Sequence, residues 1–170
     1  MIRALSILAA FALAAPAAAQ VGPPKRIASF DAWEAYVFVE PGNKKTCFIT
    51  ASATQINPKI PAREPYIMIR QAPAAKVADE VSLYPGYSLK KDSKVGIKVG
   101  KDDLELTLVQ GDTAWAKDAD ADKALVKAMR AGKDMTVRGV NTRNETSTDS
   151  YSLAGFGRAY DAIVKECPVK

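Results

Sequence analysis

The residues in this chain whose types and spacing could do chemistry are few. They are two cysteines, Cys47 and Cys167; the alternating acids Asp118, Asp120 and Asp122; the pair Asp103 and Glu105; and five lysines, Lys90, Lys91, Lys94, Lys98 and Lys101, within twelve residues. Histidine is absent from all 170 residues. That removes Ser–His and Cys–His nucleophile pairs, imidazole acid–base catalysis and His-ligated zinc together.

The acids do not build a metal loop. Asp118-Ala-Asp-Ala-Asp122 opens like a calcium site, but an EF-hand needs Gly where Lys123 stands and Glu where Met129 stands. It reads instead as the negative start of a helix, where acids complement the macrodipole. Gly96 to Asp102 has the outline of a phosphate loop, one residue short and without the Ser or Thr that would meet a magnesium ion. Gly155-Phe156-Gly157 is a strand-to-helix turn rather than a dinucleotide fingerprint. Asp103 and Glu105 share one face of a strand, where paired acids on an amphipathic sheet are ordinarily solvated. The lysines also read first as a solvated sheet face, with an anion-binding patch as the sharper alternative.

The elements that must position these residues begin behind a leader. Arg3 supplies a positive start, Ala4 to Ala15 is almost wholly apolar, Pro16 breaks the run, and Ala17 and Ala19 offer small residues for cleavage before Gln20. This is the pattern of a secretory signal peptide, too short for a bilayer span of ~20 residues. Gln20, not Cys, is the residue immediately after the cleavage point, which argues against a lipoprotein anchor. Loss of Arg3 lowers the formal charge from +5 to +4, too weakly basic to point to nucleic acid. The division is residues 1–19 as signal peptide, 20–29 as a short flexible lead and 30–168 as one domain. The expected destination is the periplasm, with outer-membrane association or secretion as the other outcomes.

In an oxidising compartment two cysteines default to one disulfide. Strand alternation puts Cys47, Ile49 and Ala51 on one apolar face. Phe156, Ala159, Tyr160, Ile163, Val164 and Cys167 follow the stripe of an amphipathic helix, so both thiols face a core. A reactive thiol or half a metal site are the alternatives, and both lack the His or further Cys they would need.

Between them run short strand signals: Trp33 to Val39, the strand of Cys47, Tyr66 to Arg70, and Val81 to Leu83. Val95-Ile97-Val99 and Leu104-Leu106-Leu108 form a hairpin about Gly100-Lys101-Asp102. Asn57 to Pro65, with three prolines, must be loop. Acids at 118–122 before Leu125, Ala128 and Met129, with Gly132 after them, make a short helix. Met135 to Gly139 and Thr148 to Leu153 are strands around a polar loop, and a helix from Phe156 to Cys167 ends the domain. The expected fold is mainly β or α+β: one antiparallel, sandwich-like domain with two short helices, the last C-terminal. Trp33, Trp115, Tyr36, Tyr66, Tyr151 and Phe156 all fall in these elements and are expected to pack in the core.

Several of these segments, in this order, resemble the invasion-associated locus B family of exported proteobacterial proteins. The likeness runs from about Phe30 to Cys167. It rests on Trp33, on Cys47 in Cys-Phe-Ile, on Pro65-Tyr66, on Pro85-Gly-Tyr87 and on Ala114-Trp115. It is carried further by Leu125 to Gly132 and by Thr148-Asp149-Ser-Tyr151-Ser-Leu153-Ala-Gly155-Phe156. The resemblance implies an exported, non-enzymatic domain, and the family's name comes from host-cell invasion. It carries no catalytic residue to this chain and implies no cofactor. The expected activity is binding of an envelope or host protein, or of an anionic membrane surface through Lys90, Lys91, Lys94, Lys98 and Lys101. Neither nucleic acid nor a small-molecule substrate is indicated. A structural or chaperone-like envelope factor is the alternative, and a hydrolase using Ser/Lys or carboxylates comes third.

Overall fold

Successive side chains of a strand point to opposite faces, so each alternating run carries one stripe that must be buried. The computed structural model describes residues 22–170; the expected signal peptide and its cleavage point lie outside the described residues. A meander comes first: β1 (Lys25–Phe30), β2 (Trp33–Glu40), β3 (Lys44–Ser52), β4 (Tyr66–Ala72) and β5 (Val77–Tyr84). The expected hairpin follows as β6 (Val95–Val99) and β7 (Asp102–Leu106), then β8 (Leu108–Gln110) and β9 (Thr113–Trp115). Helix α1 (Ala119–Ala131) leads to β10 (Asp134–Val140), β11 (Thr146–Ser152) and the C-terminal helix α2 (Phe156–Glu166). Pairing is antiparallel throughout and makes two sheets, one ordered β1-β2-β3-β4-β5-β9-β8 and the other β11-β10-β6-β7.

The inward stripes of both sheets and both helices merge into one core. Trp33, Ile49, Ile69 and Val81 of the larger sheet share a buried cluster with Ile97, Met135 and Tyr151 of the smaller one. Trp33 anchors the join, its indole Nε1 donating to the Ser152 carbonyl at 3.0 Å and its ring meeting Phe156 edge-to-face at 4.9 Å. Helix α2 can sit this close because residue 155 is glycine. Its φ is +86°, and a Cβ there would run into the Phe30 carbonyl.

Three expectations are corrected. The lead expected over residues 20–29 ends early, since from Lys25 the chain is already β1, paired with β2 from Lys25↔Val37 to Phe30↔Trp33. An edge strand keeps charged residues to discourage further pairing, and this blunts the alternation that would reveal it. The run Leu104-Leu106-Leu108 does not share one face. The chain leaves the small sheet at Thr107, and Leu108 starts β8 opposite Trp115, half-exposed. In α2, Phe156, Ala159, Ile163 and Cys167 are buried as expected, but Val164 faces solvent and Tyr160 is only partly covered.

The proline-rich loop is held by a buried charge pair. Arg63 and Asp149 each leave about 2% of their side-chain surface exposed. The guanidinium donates from Nη1 to Asp149 Oδ1 at 2.9 Å and from Nη2 to Oδ2, and its Nε donates to the Pro85 carbonyl at 2.9 Å. Asp149 Oδ1 also accepts the Asn57 amide at 3.1 Å, and the Tyr87 ring lies 5.1 Å beneath the guanidinium.

Acids at the start of α1 divide between two roles. Asp118 caps the helix, accepting the Ala121 amide at 2.9 Å, as the sequence suggests. Asp122 is not solvated: it is buried and accepts the Val81 amide at 2.9 Å, where the pairing of β9 with β5 has already ended. Burial, with Glu80, Asp79 and Asp118 nearby, pushes its carboxyl up to about 6. An acid raised in the fold keeps its proton longer than in the unfolded chain, so its penalty is full above pH 6 and relieved as pH falls towards 4. Asp122→Asn keeps an acceptor for Val81 and is expected to stabilise by about 1–3 kcal/mol at pH 8 and by almost nothing at pH 4. Urea midpoints at the two pH values check this, and a gain independent of pH would refute it.

Candidate interaction surface

The outer face of the larger sheet is where the structure departs most from sequence expectation. Of the six aromatics expected in the core, Trp33, Tyr151 and Phe156 are buried. Tyr36, Tyr66 and Trp115 lie on the opposite face of their strands, joined there by Phe48, Met68, Tyr84 and Leu108. Register lines them up. Leu108 stands opposite Trp115, Trp115 opposite Ser82, Ser82 opposite Met68, and Met68 opposite Thr50. Tyr36 stacks on Phe48 at 5.2 Å and Tyr66 on Tyr84 at 4.4 Å.

Two ion pairs occupy the central charges of this face. Arg70 forks onto Glu80 at 2.9 and 2.8 Å, and Arg26 reaches Glu34 at 2.9 Å. Tyr36 donates its hydroxyl to Glu34 at 2.6 Å, and that bond with Arg26 holds the Glu34 carboxyl below its usual range. At the centre the Ser82 hydroxyl is buried with no hydrogen-bond partner. The face is therefore flat, aromatic and nearly neutral, with its central charges paired and the buried Ser82 hydroxyl left without a partner. One signal in the sequence could have shown it. Tyr36 sits an odd number of residues from Trp33, so a single strand cannot bury both on one side.

The two cysteines are brought together as expected. Cys47, on the inner face of β3, is bonded to Cys167, the residue after α2, with their Cα atoms 5.9 Å apart. Of the lysines, Lys98 stands on the outer face of β6 and Lys94 just before it. Lys90 and Lys91 lie in the preceding loop and Lys101 in the hairpin turn, and the five do not form a bare cationic stripe. Lys94 pairs with Glu105 at 2.8 Å, Lys98 with Asp103 at 3.0 Å, and Lys90 donates to Asn144 at 2.7 Å. Only Lys91 and Lys101 of the five are outside an ion pair or side-chain hydrogen bond among the described residues. Of the carboxylate pair, Asp103 stands directly opposite Lys98, while Glu105 stands opposite Gly96 and reaches Lys94 on the diagonal.

A groove of about 450 Å³ between α1 and α2 is where acid–base chemistry would be sought. There Asp79 accepts the Tyr160 hydroxyl at 2.6 Å and the Gln71 amide at 2.7 Å. Burial and that bond push the Tyr160 phenol far above its usual range, so it holds its proton near neutrality. Arg130 lies over the Tyr160 ring at 5.0 Å and pairs with Asp161 at 2.8 Å. These contacts tie β5 to the two helices, and Asp79, Tyr160 and Arg130 are each occupied by another residue.

With this geometry in hand, comparison with known proteins places the chain. The crystal structure of invasion associated protein B from Bartonella henselae is similar in fold, with a TM-score of 0.55 at 16% identity, over 85% of this chain and 98% of that one. No curated protein matches the sequence. The family model for invasion associated locus B protein matches residues 33–164, a span holding most of the aromatic face, the lysine hairpin and most of α2. The chain belongs to the invasion associated locus B family.

Proposed function

We propose that this chain is an exported, non-enzymatic binding domain whose outer sheet face docks a partner protein with an apolar, uncharged surface. The observation that carries this is the open aromatic face around Ser82. Exposed apolar area of this kind marks contact sites, and aromatic residues dominate the centres of interfaces while charges are depleted there. The central charges of the face, Arg70 with Glu80 and Arg26 with Glu34, are paired with each other, so the aromatic surface between them is what it offers a ligand. Two sources fit that chemistry, a protein of the producing cell's envelope and, since the similar Bartonella protein is named for invasion, a host-surface protein. The pairing of Lys94 and Lys98 leaves an anionic membrane surface with less to hold.

Position-specific photo-crosslinking tests this. Crosslinkers at positions 66 and 108, on the aromatic face, should capture a discrete partner from intact envelopes or from host-cell surfaces. One at position 138, on the charged face, should not. Leu108→Glu with Tyr66→Glu is expected to reduce capture at least tenfold while leaving the melting temperature within a few degrees. Equal capture from both faces, capture only of a second copy, or binding only to anionic vesicles would each overturn the proposal.

A further inference from the structure

The smaller sheet ends in an unpaired strand. β7 is last in the order β11-β10-β6-β7. The hairpin connection is two residues, Gly100-Lys101, so Val99 and Asp102 form a hydrogen-bonded pair, as do Ile97 with Leu104 and Val95 with Leu106. Antiparallel alternation then turns the amide and carbonyl of Asp103 and of Glu105 away from β6. Among the described residues neither amide has a backbone partner on that side. Beside the edge lies a groove of about 420 Å³, between Leu104 and the α1 residues Ala124, Ala128 and Ala131, with Lys101 and Lys127 also on its wall. Their small side chains leave room for a neighbouring strand's residues, in a site of ordinary ligand size.

Side-chain charge says what that strand would be. On the outer face the columns alternate in sign: Lys94 and Lys98 flank β6, and Glu105 and Asp103 stand on β7. Asp103 and Glu105 already meet Lys98 and Lys94 on the β6 side. On their open side a further strand continues the alternation only with basic residues opposite the acids, since like charges directly opposite are unfavourable. Its alternate residues point into the groove and must be small and apolar. A second copy adding through its own β7 would set acids against acids, so self-pairing is disfavoured.

We propose that β7 accepts an extended segment of another protein, alternating Lys or Arg with small apolar residues, as an added strand beside α1. Main-chain hydrogen bonds to Asp103 and Glu105 supply attachment, and the groove and the acids supply selectivity. This site lies on a different sheet from the aromatic face and goes beyond the function proposed above; the variants that test the two do not overlap.

The experiment uses the mature chain and a dye-labelled peptide, Arg-Val-Lys-Val-Arg-Val-Lys with blocked ends, followed by fluorescence anisotropy. Its controls are the same peptide N-methylated on the residues that donate to β7, and a glutamate version. N-methylation leaves charge and side chains in place and should weaken binding at least tenfold; the glutamate peptide should not bind. Asp103→Pro, which removes an edge amide that points to solvent, should weaken binding at least tenfold, against a few-fold for Asp103→Ala. Ala124→Trp, an exposed substitution that fills the groove, should do the same and stands in if the proline variant fails to fold. Overturning results are equal binding of the methylated peptide, unchanged binding by Ala124→Trp, or no binding of the basic peptide.

Discussion

Asp149→Ala is expected to cost about 3–5 kcal/mol, enough to unfold a large share of a domain of this size at physiological temperature. The loss would come mainly from what remains. Arg63 would keep its charge inside the protein, with Pro85 and Pro58 carbonyls as acceptors but no carboxylate. Its fork and the Asn57 amide converge on Asp149, while the Tyr87 ring packs against the guanidinium and supplies no full counter-charge. The damage would spread along the 53–65 loop, which covers the free edge of β11. Thr54 and Gln55 exchange backbone hydrogen bonds with Ser150, and Asn57 accepts from the Thr148 amide. Arg63→Lys should be nearly as harmful, since an ammonium cannot make the two parallel bonds and still reach Pro85. Removing both charges, as Arg63→Met with Asp149→Leu, should cost far less than either single change, because no buried ion is left unpaired. Urea unfolding of the wild type, Arg63→Met, Asp149→Leu and the double variant gives the coupling energy. A double variant as unstable as the sum of the singles would refute this account.

That pair also shows where sequence reasoning stops. Period-two and helical periodicities reveal which face of an element is apolar, and Val95-Ile97-Val99, Leu125-Met129 and Phe156-Ala159-Ile163 were legible for that reason. Periodicity does not say which element lies opposite. Arg63 and Asp149 are 86 residues apart, one in a proline-rich loop and one in a polar strand, and neither carries a local mark of burial. The crossing from one sheet to the other at Thr107 was hidden because Leu104, Leu106 and Leu108 keep perfect alternation across it. The aromatic face was missed because β2 and β4 are apolar on both sides, a pattern expected of fully buried strands. The cysteine pairing, by contrast, followed from compartment and count, which need no tertiary information.

The second large effect concerns that pairing. Removing the Cys47–Cys167 bond is expected to cost about 2–5 kcal/mol and to lower the melting temperature by roughly 10 °C. The bridged residues are 120 apart, so the bond closes nearly the whole described chain. In the chain-entropy account such a loop restricts the unfolded state by about 5 kcal/mol, the upper end of the range. Two features bear on how much is realised. Both sulfurs are buried, so Cys47→Ala with Cys167→Ala also removes core volume. Yet α2 is independently anchored by Phe156 against Trp33, by buried Ala159 and Ile163, and by the Arg158–Asp31 pair at 2.5 Å. Cleavage should therefore loosen the C-terminal end of α2 before it reaches the Phe156 end. Hydrogen exchange on the reduced protein should show lost protection first in residues 163–167, while β6, β7 and β10, remote from the bond, stay protected until global unfolding. The melting shift and the graded exchange are separate readouts. An unchanged melting temperature after full reduction would reject a stabilising role, and simultaneous loss of protection at both ends of α2 would reject the independent anchor at Phe156.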